Sequence, residues 1–199
     1  SDLVVGDPLC RPWATIPKVD VTILAAGRAA AADAPLSGRV DVVPSSSDPV
    51  DRFALFVDGV QLGQCPPGGR FTFDTSELAD GHHELRVVAA EASSVRSQGR
   101  RTMPVRFANR GAALGLRVEP RRVRLSDTVL VSLDGEGLEG VAVYAMGRVL
   151  GRASGGATTL EVPANLLGRG RVTLHATGRF GAGAAGSVNA SPVTIEVVE

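Results

Sequence analysis

Three histidines, two glycine-rich segments and an arginine-dense stretch are where this chain of 199 residues could do chemistry. His82 and His83 invite a metal. On a strand, adjacent side chains point to opposite faces, so the pair cannot close on one ion. His83 shares a face with Leu85 and is expected half-buried and hydrogen-bonded, while His82 shares one with Glu84. His175 falls on the polar face of its own strand, and no Cys-x-x-Cys or His-x-x-x-His spacing occurs. Gly135-Glu136-Gly137-Leu138-Glu139-Gly140 and Gly181-Ala182-Gly183-Ala184-Ala185-Gly186 both satisfy G-x-G-x-x-G. That fingerprint holds a pyrophosphate only where a helix N-terminus follows the turn. Strand patterns follow here, Val141 to Ala145 and Val193 to Val197, so both segments read as turns. No nucleophile elbow marks a Ser/His/Asp triad. Neither a metal nor a cofactor is assigned.

Arg96, Arg100, Arg101, Arg106, Arg110, Arg117, Arg121, Arg122 and Arg124 make the densest basic run. Residues 1–109 nevertheless sum to −2 and residues 110–199 to +2, so the run is a local patch with a formal chain charge of zero. It reads as solvated strand faces and interdomain pairs, with an anionic partner as the alternative. Zero net charge and eight aromatic residues argue against a nucleic-acid binder, which needs phosphate neutralisation and stacking platforms. No apolar stretch approaches the ~18 residues of a membrane span. Twenty of the 21 basic residues are arginine, Lys18 being the exception, which looks like a GC-rich coding sequence. The chain opens on Ser1 with no initiator Met and no signal-like segment, and reads as a piece of a longer polypeptide.

The elements that must carry these residues are strands. Val19/Val21/Ile23, Phe71/Phe73, Leu85/Val87/Ala89, Val129/Val131/Leu133, Val172/Leu174/Ala176 and Val193/Ile195/Val197 all alternate with period two. Ala25 to Ala34 is the one stretch that could pass for helix, or equally a loop. Repetition organises the pattern. Phe53 to Gly63 (FALFVDGVQLG) aligns with Val141 to Gly151 (VAVYAMGRVLG) at an offset of 88, and Gly68-Gly69 with Gly155-Gly156 at 87. Leu85/Val87/Ala89 then aligns with Val172/Leu174/Ala176, also at 87. The period is one small β-domain, giving a tail at 1–17 and domains at 18–109 and 112–199. Asp58-Gly59 is a type I′ hairpin signal, both central residues needing positive φ, and Met146-Gly147 stands in the same place. Asn109 to Ala113 is all that joins the copies, a reach of about 18 Å at most. The domains are therefore expected end to end or in contact.

Phe56-Val57-Asp58-Gly59, Phe71-Thr72-Phe73-Asp74-Thr75 and Asp80-Gly81-His82-His83-Glu84-Leu85-Arg86-Val87 resemble bacterial immunoglobulin-like modules. The resemblance covers the first copy, and the second by repetition. It implies an all-β protein of two consecutive Ig-like antiparallel β-sandwiches in an accessory role. The antibody Cys…Trp…Cys hallmark is missing, and Trp13 lies outside both copies. Leu3-Val4-Val5-Gly6-Asp7-Pro8-Leu9 resembles the end of gingipain-like, caspase-fold peptidase domains, and a bacterial protein family seen in planctomycetes with that layout. This implies that the parent's chemistry lies upstream of Ser1. Cys65 follows the hairpin and precedes Pro66-Pro67 on what should be an exposed loop, and Cys10 lies in the tail. In a secreted pair of Ig-like modules the two favour a disulfide over free thiols. Its loop of 55 residues corresponds to about 4 kcal/mol in the chain-entropy model.

The expected function is a non-catalytic spacer or accessory region of a larger secreted or cell-envelope protein. It would stabilise or dock the upstream domain of the same polypeptide. A carbohydrate- or cell-surface-binding module is the second class. It needs an aromatic platform that only Trp13, Tyr144 and a few Phe could build. An enzyme in its own right is the third, and the missing motifs speak against it.

Overall fold

Strands form where every second residue is apolar enough to leave water. In Arg52–Val57 the residues Phe53, Leu55 and Val57 are buried while Arg52, Ala54 and Phe56 are only half so. The same alternation runs through Thr128–Asp134, which buries Val129, Val131 and Leu133. Each fully buried Leu or Val contributes about 1.5–3 kcal/mol relative to its exposed state. The computed structural model describes residues 16–91 and 97–199. Cys10, Trp13, Arg96 and the Leu3–Leu9 segment lie outside the described residues.

The first repeat supplies β1 (Asp20–Ala25), β2 (Arg28–Ala29), β3 (Arg39–Ser45), β4 (Arg52–Val57), β5 (Val60–Cys65), β6 (Phe71–Asp74), β7 (Asp80–Ala90) and β8 (Gln98–Phe107). One sheet runs β2-β1-β3-β6; in the other, β4 lies between β5 and β7, and β8 pairs β7. The second repeat supplies β9 (Gly115–Glu119), β10 (Arg122–Arg124), β11 (Thr128–Asp134), β12 (Gly140–Ala145), β13 (Arg148–Ser154), β14 (Thr158–Pro163), β15 (Gly170–Arg179), β16 (Ser187–Asn189) and β17 (Val193–Val198). Its sheets are β9-β11-β14 and a second one in which β15 pairs β12 on one side and β16 and β17 on the other. Among the described residues β13 pairs only β12, and β10 joins β17 in a short parallel pairing. The chain is thus all-β, two consecutive Ig-like β-sandwiches in strand order. Two brief parallel ladders depart from the antiparallel rule, the second being Val188 and Asn189 on Asp80 and Gly81. No helix among the described residues is long and apolar enough to cross a membrane.

Packing divides the chain into two compact units. Unit 1 takes in the described residues up to Ala32, Arg39–Phe73 and those within Glu84–Pro104. Unit 2 takes in Asp33–Gly38, Asp74–His83 and Val105–Glu199. Its core gathers Val118, Val131, Val143, Leu174 and Ile195, each at most 2% exposed.

The hairpins match the turn chemistry. Asp58 and Gly59 have φ of 49° and 83°, Met146 and Gly147 of 50° and 74°, so both central residues are left-handed in each copy. Each hairpin also carries a β-bulge. Leu55 faces Gly63 while Phe56 faces Gln61, leaving Leu62 unpaired; Val143 faces Gly151 while Tyr144 faces Val149, leaving Leu150 unpaired. Two expectations are corrected. Ala25 to Ala34 is neither helix nor plain loop: β1 turns at Ala26-Gly27, with φ of 49° and 76°, into β2. The second correction is register. Val57 pairs Leu85 and Leu55 pairs Val87, while Ala145 pairs Leu174 and Val143 pairs Ala176. Leu85 and Val87 therefore correspond to Leu174 and Ala176 at an offset of 89, not 87. A slip of two residues keeps every side chain on its face, so period-two patterning cannot detect it.

Candidate functional site

Two places concentrate polar chemistry. In unit 2, Asp80 at the start of β7 is fully buried. Its Oδ1 accepts from the Asn109 backbone N–H at 2.9 Å and from Asn109 Nδ2 at 3.3 Å. Its Oδ2 accepts from the N–H groups of Arg110 at 2.8 Å and Ala112 at 3.3 Å. Burial pushes the carboxyl upward. The backbone donors and the Asn109 amide together outweigh that and hold it below the usual carboxylate range. Asn109 is saturated in turn: Oδ1 accepts from Gly38 N–H at 3.1 Å and the Thr75 hydroxyl at 2.8 Å, while Nδ2 also donates to Thr75 O at 3.0 Å. The segment joining the repeats is thereby held by its backbone, and Arg110 also donates to Ser76 O at 2.7 Å.

In unit 1 the outward face of β4, β5, β7 and β8 forms an open groove of about 1020 Å³. Lys18, Arg52, Arg86, Arg100 and Arg101 line it against the single carboxylate of Asp20. The Arg86 guanidinium lies 4.8 Å from the centroid of the Phe56 ring, directly across the ladder. Arg86 Nε is shut from water with no hydrogen-bond partner among the described residues. Gln61 and Gln64 of β5 add amides, and Ala54 and Val88 add apolar floor. Gly99 is what lets the segment before β1 lie close: a Cβ there would stand 1.8 Å from Pro17 O.

The corresponding face in unit 2 is a smaller hollow of about 430 Å³. There Tyr144, half-buried, sits across the ladder from His175 where unit 1 has Phe56 and Arg86. Its Arg179 is paired with Glu139 at 3.5 Å. The shared frame therefore does not demand the cations of the unit 1 groove.

The residues singled out from sequence fall as follows. His83 is 2% exposed rather than half-buried, its Nε2 lies 2.9 Å from Ala79 O, and its ring stacks on Phe107 at 4.3 Å. His175 is exposed, as its polar face requires. Cys65 ends β5 and is buried, not on an exposed loop, because Gly69 folds back to bring its backbone against the sulfur. Burial pushes its thiol up. Of the arginine run, Arg100 and Arg101 line the groove and Arg110 joins the Asp80 network. Arg122 pairs Glu196 at 3.6 Å. No group of three His, Cys, Asp or Glu residues among those described is placed to hold a metal. Sequence reasoning missed Asp80 and the groove.

No protein-family profile matches the chain, and no curated protein matches it. Solved structures of similar fold include fibronectin(III)-like modules of Clostridium thermocellum CbhA, at 13% identity over 89% of this chain and 93% of that one, TM-score 0.35. The mixed-linkage glucan utilisation protein SGBP-B of Bacteroides ovatus, solved with a heptasaccharide, shares 13% identity over 90% of this chain and 47% of its own, TM-score 0.41. Latent PorU of Porphyromonas gingivalis shares 12% over 98% of this chain and 21% of its own, TM-score 0.38. The chain thus spans less than half of the last two.

Proposed function

We propose that the repeats at 18–109 and 112–199 form a non-catalytic accessory region of a larger secreted or cell-envelope protein, spacing, stabilising or docking a neighbouring peptidase-like domain. The observation that carries this is the use made of buried polar groups. Thr75, Asp80 and His83 are the buried polar side chains among the described residues, and each serves the chain's own frame. Asp80 in particular is committed to the backbone of the segment between the repeats, which suits a region whose task is mechanical. A Cys10–Cys65 disulfide would add a tie to the leading tail. In the parent polypeptide, Asp80→Asn should lower the thermal resistance of the activity without changing its turnover below the transition. A turnover that falls with His83→Phe or Asp80→Asn while stability is unchanged would overturn the reading.

A second reading, a carbohydrate- or cell-surface-binding module, is favoured by one observation: the unit 1 groove keeps five cations against one lining carboxylate.

A further inference from the structure

Resting on that second reading, we infer that the unit 1 groove binds a carboxylate-bearing polysaccharide, a uronic-acid polymer, across β4, β5, β7 and β8. The charge balance sets the sign of the ligand. Lys18, Arg100 and Arg101 are exposed, and none of their side chains pairs with a carboxylate among the described residues. Arg52 is shared with Asp51 at 3.5 Å, so four uncompensated cations face one carboxylate, Asp20. Guanidinium groups match carboxylates in bidentate geometry.

The rest of the lining selects among anions. Gln61 and Gln64 each offer a donor and an acceptor, which suits hydroxyl groups that do both. Ala54, Val88 and the free edge of Phe56 offer apolar surface to the C–H faces of a sugar ring. A single-stranded nucleic acid needs several open aromatic faces, and here one ring is present with Arg86 already over it. At about 1020 Å³ the groove is at the upper end of small-ligand sites and open along its length, which fits a segment of polymer. Arg52 and Arg86 lie at opposite ends of the β4–β7 ladder, whose register places Arg52 on Ala90 and Phe56 on Arg86. Four strand residues separate them, about 13 Å, so acidic groups a few sugars apart on one polymer chain can be met. The second repeat has Tyr144 and His175 at the paired positions and neutralises Arg179. Its hollow is lined by Arg152 and Arg179 against Glu139, so the five-to-one excess of cations is a property of one copy.

The test is affinity electrophoresis and titration calorimetry of the full chain with polygalacturonate, its fully methyl-esterified form, dextran and poly-glutamate. Polygalacturonate should bind, weaken steeply between about 20 and 300 mM salt, and lose roughly tenfold in affinity in Arg100→Gln/Arg101→Gln. That variant touches exposed side chains, and an unchanged melting temperature confirms that it folds. Equal binding of the esterified polymer or dextran would overturn the carboxylate inference and leave the carbohydrate reading standing. No binding by any polysaccharide would overturn both. Tighter binding of poly-glutamate would make an acidic peptide the partner, and affinity indifferent to the arginine pair would place the site elsewhere. Each of those last two results sinks the inference.

Discussion

Replacing Asp80 by Asn changes one heavy atom and should cost the protein about 2–3 kcal/mol. Each carboxylate oxygen accepts two hydrogen bonds, Oδ1 from Asn109 N–H and Nδ2, Oδ2 from the N–H groups of Arg110 and Ala112. In the amide, one of those oxygens becomes an NH₂ facing two donors. Two charge-assisted bonds at about 1.5–2 kcal/mol each are lost, and relief of the buried charge returns about 1 kcal/mol. For a chain of this size the loss is about 6–9 °C in the transition that contains unit 2. Differential scanning calorimetry resolves that transition from the other, since two units need not melt as one. The pH dependence is a second reading of the same group. Its folded pKa lies below the unfolded value of 3.8, so its stabilisation is complete above that value and is lost as pH falls through the folded pKa. The gap between wild type and Asp80→Asn should be constant from about pH 7 to pH 5 and close in more acid solution. Equal melting temperatures at neutral pH, or a gap indifferent to acid, would refute the assignment of Asp80 as the anchor of the joining segment.

Three further outcomes follow from particular contacts. Gly99→Ala should destabilise unit 1 by about 2 kcal/mol or more in urea denaturation, because the new Cβ meets the Pro17 carbonyl at 1.8 Å and backbone must yield. Met146→Asp should stabilise unit 2 by about 1 kcal/mol, since Met146 is 77% exposed at φ 50° where Asp58 stands in the other copy. Asp58 also accepts from Glu84 N–H at 2.9 Å, a bond that Met cannot offer; an unchanged denaturation midpoint would show that the turn carries no strain. Cys65, buried and with its thiol pushed up, should react slowly with a thiol reagent in the native protein whatever its redox state. The proposed disulfide is therefore read in denaturant without reductant, where two thiols would exclude it and none would support it.

The hairpins were legible because Asp-Gly and its counterpart state their own backbone requirement within two residues. The register of β15 was not, since alternation repeats itself every two residues and the partner strand decides among the copies. Asp80 stood in a segment with a familiar pattern, but its four donors lie 29 to 32 residues further on, and nothing local marks an acceptor for them. Cys65 looked exposed beside Pro66-Pro67, and only the return of Gly69 onto it closes the site. The groove was the least visible. The arginines that line it are Arg52 and Arg86 together with Arg100 and Arg101 at the start of β8, and a linear reading of the dense run after Arg96 finds only the last two. Composition finds clusters along the chain; a sheet face assembles residues that the chain keeps apart.

The bulges at Leu62 and Leu150 bear on how such a protein survives at high concentration. Among the described residues β5 and β13 are each bonded on one side only, and both carry outward apolar side chains, Val60 at 66% exposure and Val149 at 46% among them. An apolar strand with a free row of amides and carbonyls is a template for a foreign strand. At each bulge the host presents two residues where a regular partner presents one, so an incoming strand loses step after a few bonds and the local twist turns the edge away. Both copies break the template at the same point beside their hairpin. Two edges without a partner among the described residues are thereby poor templates for edge-to-edge growth.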